Sequence, residues 1–506
     1  MKNKKILHNT LMLYTRQILI IFVSLYTVRV VLKELGVEEY GIYTVVAGIV
    51  ALCSFLSGSM ASATQRFFSY ALGKKDNKLL NTTFSVNLVI YMFIAIVAFF
   101  LLKTIGFWFV DNYLSIPLER KESAIILYEY SIYGFLLNIL VSPLIAVIIA
   151  HEDMKTYAYL SINEAIMKLS VVFLLGYISL DKLELYGLLL LLVSIINFIV
   201  YFYISYRKYE EIQFKKLYWD YFLLKEIFIF TGWTIFGQFT TIIRSQAVTI
   251  LINQFFNPSV VAARAIANTV ASQVNMFSNN FNTGLYPPLI KSYAEGNNKE
   301  FLSLIYNGSK LTFFLFWVFA LPLSLEIKTV FSIWLGDFPE DVILFTRLAL
   351  VEALIFSISL PLTTAARAPG KIKIYELSLG LMQILIFIFS YIALKLNFEA
   401  YSVFIIAILV NIIMFFVRLV IISKLINLII LDFIKKVIFP IINIIFWSLL
   451  ICFFIYKVMP ESFYFSILNM VLSCFFSCVL IFFFGIELEL REKIKNKFLI
   501  KISWFL

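Results

Sequence analysis

The chain has 506 residues, 61% of them hydrophobic and 14% charged, with a formal net charge of +11 and a mean hydropathy of +0.92. Soluble domains run at about 45–50% apolar and about 25% charged residues, so this chain has too little charge to cover its own surface in water, and membrane lipid is the solvent it suits. No long polar stretch is available for a soluble domain, and the basic excess lies in loops rather than on a folded polar module, which argues against nucleic acid as a partner.

About 20 apolar residues cross a hydrocarbon core. Runs of that kind predict helices at 11–32, 41–66, 81–102, 123–150, 157–179, 184–206, 226–254, 259–286, 303–325, 341–366, 374–394, 400–423, 433–456 and 463–485. The fold class is therefore all-α, a polytopic membrane protein of about 14 transmembrane helices. The runs are continuous rather than alternating over ten-residue units, so a β-barrel does not fit. Met1 to Lys5 begins like a signal peptide, but the following run is interrupted by Arg16, continues to Val31 and offers no small-residue cleavage site. It predicts an uncleaved first helix.

Lysine and arginine set the orientation. With the N-terminus inside, 27 of them fall at inner loops, termini and helix ends and eight at outer ones. Both termini are expected in the cytoplasm, with an even number of helices; twelve is the alternative if one pair is miscounted. Two segments, Arg207 to Glu226 and Glu487 to Leu506, mix basic and aromatic residues. They read either as amphipathic helices on the inner leaflet or as an aromatic belt with snorkelling cations.

An internal repeat organises these helices. Ser69-Tyr70-Ala71-Leu72-Gly73 after the second run returns as Ser292-Tyr293-Ala294-Glu295-Gly296 after the eighth, and Pro143, Lys155 and Tyr157 return as Pro361, Lys373 and Tyr375. The expected organisation is a six-helix lobe at 1–206, an interfacial linker at 207–225, a second six-helix lobe at 226–424, two additional helices within 433–485 and an amphipathic tail at 486–506. Six crossings return the chain to its starting side, so the two lobes run parallel, a frequent architecture of secondary transporters.

An ionisable residue inside a membrane is costly and marks a functional candidate. Arg16 and Arg66 lie near inner helix ends, where snorkelling accounts for them; Arg29, Arg264 and Arg347 lie near outer ends, where snorkelling and a site role are both open. Lys168 lies near the centre of the fifth run and Arg244 well inside the seventh. Glu164 stands four residues before Lys168 on the same helical face, so an intrahelical pair and a cavity-facing lysine are both open. Arg244 has no acidic neighbour at helical spacing, which leaves Glu129, Glu352 or the substrate as its anion. Polar residues including Gln238, Thr240, Asn253, Ser272, Gln273 and Asn279 run along the seventh and eighth helices. Some serve interhelical bonds; the set as a whole reads as the lining of a hydrated groove. Cations outnumber acids at the deep positions, which favours an anionic substrate, and the planar guanidinium fork suits phosphate.

Other chemistry is poorly supported. The chain has two histidines, His8 and His151, and its cysteines, Cys53, Cys452, Cys474 and Cys478, lie in apolar runs without carboxylates nearby; no metal or cofactor is expected. No phosphate-binding loop motif occurs. The outer loops are short, so an enzyme is not expected.

The stretch Arg29-Val30-Val31-Leu32 with Leu35-Gly36 and Tyr40-Gly41-Ile42-Tyr43, followed by Ala63-Thr64-Gln65-Arg66-Phe67, resembles the start of the Wzx-type polysaccharide flippases. Asn257-Pro258, Ala262-Ala263-Arg264-Ala265 and Pro287 are similar to their second half. These flippases belong to the multidrug/oligosaccharidyl-lipid/polysaccharide exporter superfamily. The resemblance implies transfer of an undecaprenyl-diphosphate-linked oligosaccharide from the inner to the outer leaflet of a bacterial inner membrane, for O-antigen or capsule synthesis. It implies a cationic cavity for the diphosphate, with Arg244 and Lys168 as phosphate contacts, Arg29 and Arg264 as contributors in the outer half, and Arg66, Glu164 and Glu352 in support. The partners so implied are the lipid-linked oligosaccharide, membrane lipids and a coupling ion, H+ or Na+, with the protein a monomer. The competing expectations are a drug antiporter of the same superfamily and a membrane glycan polymerase or ligase.

Overall fold

The computed structural model describes residues 2–113, 117–178, 180–212, 218–256, 258–335, 338–339, 341–460, 462–486 and 491–492. Among the described residues there are helices and no strands. Eleven of the helices are long and apolar enough to cross a membrane, against about fourteen expected. The other three expected runs, 11–32, 41–66 and 259–286, are helical too, in segments that fall outside those eleven.

The chain forms two compact units. Unit one holds α1 (Lys2–Leu52), α2 (Ser54–Lys74), α3 (Asn77–Leu101), α4 (Phe107–Tyr113), α5 (Lys121–Ala150), α6 (Met154–Leu175) and α7 (Lys182–Lys208). α8 (Tyr221–Phe255) belongs to unit one up to Phe239 and to unit two from Thr240. α9 (Pro258–Ala294) belongs to unit two up to Leu285, and its last turns from Tyr286 belong to unit one. Unit two continues with α10 (Asn298–Leu325), α11 (Ile327–Trp334), α12 (Val342–Arg367), α13 (Lys373–Lys395), α14 (Ser402–Ile426), α15 (Ile430–Phe433), α16 (Phe439–Val458) and α17 (Phe463–Leu480).

α1 departs from expectation. Its 51 residues run unbroken through 33–40, where a loop was expected, and the break comes at Cys53. The reason lies in what those residues touch. Leu35 is buried against Val171, Val172 and Leu175, Glu34 pairs with Lys182 at 3.4 Å, and Glu39 pairs with Arg120. Both acids are neutralised inside the unit, and the helix continues. The segment from Arg207 to Glu226, open between a surface helix and an aromatic belt, begins with the end of α7 and finishes in the first turns of α8. Residues 209–212 form a turn, with Tyr209 and Ile212 buried in the core of α2, α3, α5, α6 and α7. The 213–217 segment and the tail, apart from Arg491 and Glu492, lie outside the described residues.

Both repeat motifs lie at helix C-termini, with the cap falling two residues later in the first copy, at Lys75 rather than at Gly73. α2 ends with Lys75 at φ +55° and α9 ends with Gly296 at φ +75°. In both, the amide one residue later returns to a carbonyl five residues back: Asp76 to Ala71 at 3.3 Å and Asn297 to Ser292 at 3.0 Å. This is the left-handed cap that satisfies the last carbonyls of a helix. The next helices then start at Asn77 and Asn298, and Pro143 and Pro361 both lie inside the helices preceding the second shared stretch, α5 and α12.

α16 and α17 are fixed to α10 and α11 by buried polar bonds. Asn469 donates to Glu326 at 2.6 Å and Trp317 donates to Ser448 at 2.9 Å. A buried carboxylate needs such donors, since an unsatisfied one costs about 1–3 kcal/mol or more.

The α5–α6 turn of unit one lies outside the spanning helices and carries a testable charge. Burial pushes the Asp153 carboxyl up, but bonds from Lys208, Thr156 and Tyr209 outweigh it and hold the group below the usual carboxylate range. A depressed folded-state pKa contributes stability at pH values above the unfolded value, lost as pH falls through the folded one. Asp153→Asn is therefore expected to lower the melting temperature of the detergent-solubilised protein at pH 7. The difference from wild type should shrink below the unfolded carboxylate pKa of about 3.9. A pH-independent difference in a thermal scan would show that packing, and not the charge, carries the effect.

Candidate functional site in unit two

Four helices of unit two bring together residues far apart in sequence. Arg244 and Thr249 come from α8, Arg264 from α9, Glu352 from α12 and Asn411 from α14. Arg264, Glu352 and Asn411 each lie six to ten residues into their helices. At 1.5 Å per residue this is about 9–15 Å below the helix starts. Phe404, Asn411 and Arg418 recur every seven residues and so share the buried face of α14.

Arg244 Nη1 lies 3.0 Å from Glu352 Oε1, and Asn411 Nδ2 donates to the same oxygen at 3.1 Å. Arg264 Nη1 donates to Thr249 Oγ1 at 2.6 Å, and its guanidinium stands 5.9 Å from the Phe404 ring centroid. Arg264 is 6% exposed, while the Arg244 and Glu352 side chains are 17% and 19% exposed. The Nε atoms of both arginines are buried without a hydrogen-bond partner. Glu352 is bonded to Arg244 and not to Arg264, whose bond goes to the neutral Thr249, so two guanidiniums stand against one carboxylate and the group carries a net positive charge. In a lobe of apolar helices an uncompensated arginine costs about 2.5–3.5 kcal/mol on insertion scales. An anion that accepted from both arginines would remove that cost.

The flank of α9 is polar where it is open. Thr269, Ser272, Gln273 and Asn279 are exposed, at spacings that place them on one helical face, and Thr269 and Thr283 turn their hydroxyls back to carbonyls of their own helix. A lipid-facing surface would carry apolar side chains there. This stripe suits water.

The other charges named from the sequence are placed elsewhere. Lys168 pairs with Glu164 at 2.7 Å, and Asn197 donates to the second oxygen of Glu164 at 3.2 Å; this group lies in unit one and is balanced. Glu129, the other carboxylate considered for Arg244, pairs with Lys103 at 2.5 Å. Arg66 does not snorkel: it is 3% exposed, pairs with Glu226 at 3.5 Å, and packs on the rings of Phe67 and Phe230. Its neighbour Thr64 bonds Asn87 at 2.8 Å and Tyr91 at 3.1 Å, so the 63–67 motif is a buried polar anchor of unit one. Arg347 reaches the carbonyl of Ser324. The Arg29 side chain lies outside the described residues.

Sequence reasoning missed one further cluster. Arg418 Nε donates to Tyr375 at 2.9 Å, Arg367 pairs with Glu376 at 3.5 Å, and Tyr375 bonds Thr363 at 2.9 Å. The signal was there in the seven-residue spacing of Asn411 and Arg418 along an otherwise apolar helix.

Among solved structures, a MATE in the bent conformation is 13% identical with a TM-score of 0.72, over 84% of this chain and 96% of that one. An outward-facing multidrug resistance MATE family transporter of the MOP superfamily is 13% identical with a TM-score of 0.70, over 84% and 96%. A MOP superfamily transporter from Pyrococcus furiosus Vc1 (DSM3638), described by a reversed polarity of its binding pocket, is 14% identical with a TM-score of 0.66, over 84% and 96%. No curated protein matches the chain in sequence. The fold is that of the MATE transporters. The family model for polysaccharide biosynthesis proteins matches residues 6–292, more than half of the chain, and the protein belongs to that family.

Proposed function

We propose that the protein is a flippase that moves an undecaprenyl-diphosphate-linked oligosaccharide from the cytoplasmic to the outer leaflet of a bacterial inner membrane by alternating access. The product would feed synthesis of a surface polysaccharide of the O-antigen or capsule type. The observation that carries this reading is the excess of Arg244 and Arg264 over Glu352, with two unpartnered Nε donors. A diphosphate supplies the charge and the acceptor oxygens that such a group lacks. Family membership supports polysaccharide synthesis as the setting. The distribution of lysine and arginine supports cytoplasmic termini, and the repeat supports two parallel six-helix lobes. In this reading the protein acts as a monomer without a cofactor, and an H+ or Na+ gradient or consumption of the glycan downstream supplies the driving force.

The fold likeness favours a second reading, an ion-coupled drug antiporter. A cationic drug needs an open carboxylate, whereas Glu352 and Glu164 each already hold a cation. The two readings separate in proteoliposomes. The flippase reading expects protein-dependent transfer of a fluorescent diphosphate-linked glycolipid and none of a neutral glycolipid with the same lipid chain. Drug uptake with no glycolipid transfer would overturn it in favour of the antiporter.

A further inference from the structure

The shared Ser-Tyr-Ala motif has no role in the two-arginine site, yet its two copies meet within unit one. A Cβ on Gly73 would stand 2.8 Å from Ala294 Cβ and 2.9 Å from both Cα and O of Lys291. Two of those three atoms are backbone, so only a glycine lets the end of α2 approach the end of α9 this closely. α9 up to Leu285 belongs to unit two, whereas its last turns pack with unit one. Tyr286, at the start of those turns, donates to the Ser62 carbonyl at 3.2 Å.

The α5–α6 turn supplies the second hold. His151, Glu152 and Asp153 each address a different partner: His151 meets Glu211 at 2.6 Å, Asp153 accepts from Tyr209 at 2.9 Å and pairs with Lys208, and Glu152 accepts from Lys291 Nζ at 2.8 Å. Glu152 has a φ of +60°, a left-handed conformation that a side chain other than Gly, Asn or Asp rarely takes. Strain of this kind persists where the surroundings impose it, and it clusters at switch regions. The side chains of the Lys291–Glu152 pair are only 19% and 11% exposed, while Glu152 also lines a cavity of about 710 Å³ beside Asn77, Asn81 and Glu210. The pair is enclosed enough to matter and close enough to water to be broken.

We propose that the Glu152–Lys291 pair, seated on the Gly73–Ala294 contact, is a latch for the inner end of the transport path, holding the C-terminal turn of α9 shut and releasing it when the path opens inward. This rests on the transport reading above, but its test reads accessibility and needs no substrate. In a background whose four native cysteines are replaced by serine, Ala294→Cys places a thiol at a position that is 3% exposed. Labelling by a membrane-impermeant maleimide applied to inside-out vesicles reports whether the latch is shut. Glu152→Lys and Lys291→Glu are each expected to raise the labelling rate about tenfold, the factor equal to about 1.4 kcal/mol. The charge-swapped double variant is expected to return it close to the starting rate. Gly73→Leu is expected to raise labelling without rescue by the swap, and Glu152→Gln gives a milder rise if a reversed charge prevents folding. Unchanged labelling in the single variants, or a double variant labelled as fast as either single one, would overturn the latch. Absence of glycolipid transfer by the unsubstituted protein, with this labelling pattern intact, would instead overturn the flippase reading alone.

Discussion

Arg244→Ala is expected to reduce export of the diphosphate-linked glycan about a hundredfold while the protein still inserts and elutes as a folded species. The magnitude follows from the site. Truncating one partner of a buried, hydrogen-bonded charge pair costs about 2–5 kcal/mol, and a hundredfold is about 2.7 kcal/mol. Arg244 is 3.0 Å from Glu352, with both side chains under a fifth exposed. Its removal leaves Glu352 with Asn411 as its remaining partner in the cluster and cancels the positive excess that would hold phosphate. The stability part of the effect can be separated from the transport part. Arg244→Ala with Glu352→Gln removes the unpaired carboxylate and restores the net charge, so the double variant should regain thermal stability, yet with one guanidinium left it should still export less than wild type. Arg244→Lys should recover only part of the activity, because an ammonium is a point charge without the guanidinium fork. Normal export by Arg244→Ala, measured as surface glycan or as transfer in proteoliposomes, would remove Arg244 from the site.

Arg264→Met is expected to move the two properties in opposite directions. Arg264 is 6% exposed, bonds Thr249 and leaves its Nε unpartnered. Replacing a buried, incompletely compensated charge with an apolar side chain of similar length is often neutral or stabilising by about 1–4 kcal/mol. The melting temperature should therefore hold or rise. Export should fall at least about tenfold, a loss of about 1.4 kcal/mol, because one of the two cations proposed to meet the diphosphate is gone. A variant that loses stability and export together would mark Arg264 as a structural residue of unit two.

Much of this was legible in the sequence, and the physical reason differs from feature to feature. Eleven expected runs are helices of spanning length, since a continuous apolar stretch has few other solutions in lipid. The Gly73 and Gly296 motifs could be matched although their glycines differ in use: Gly296 is a left-handed cap, whereas Gly73 lies inside α2 and makes room for Ala294 and Lys291. The continuity of α1 through 33–40 could not be read, because it rests on distant partners: Lys182 and Arg120 are brought against Glu34 and Glu39 at the starts of α7 and α5. The sequence leaves Glu129, Glu352 or the substrate as the anion of Arg244 and goes no further: Glu352 is 108 residues away, and only tertiary packing chooses it. Arg66 looked like a snorkelling cation from its place near a helix end, yet Phe67, Phe230 and Glu226 enclose it. Position along a helix is visible in a sequence, whereas the direction a side chain faces in a bundle is set by its neighbours.

The central claim is that unit two holds a phosphate-bearing lipid through Arg244 and Arg264. It is tested most directly by the binding of undecaprenyl diphosphate to the purified protein, followed by native mass spectrometry or a filter assay. Wild type is expected to retain the diphosphate more tightly than undecaprenol, and Arg244→Ala with Arg264→Met is expected to lose that preference while still retaining undecaprenol. Equal retention of the diphosphate by wild type and the double variant would contradict it.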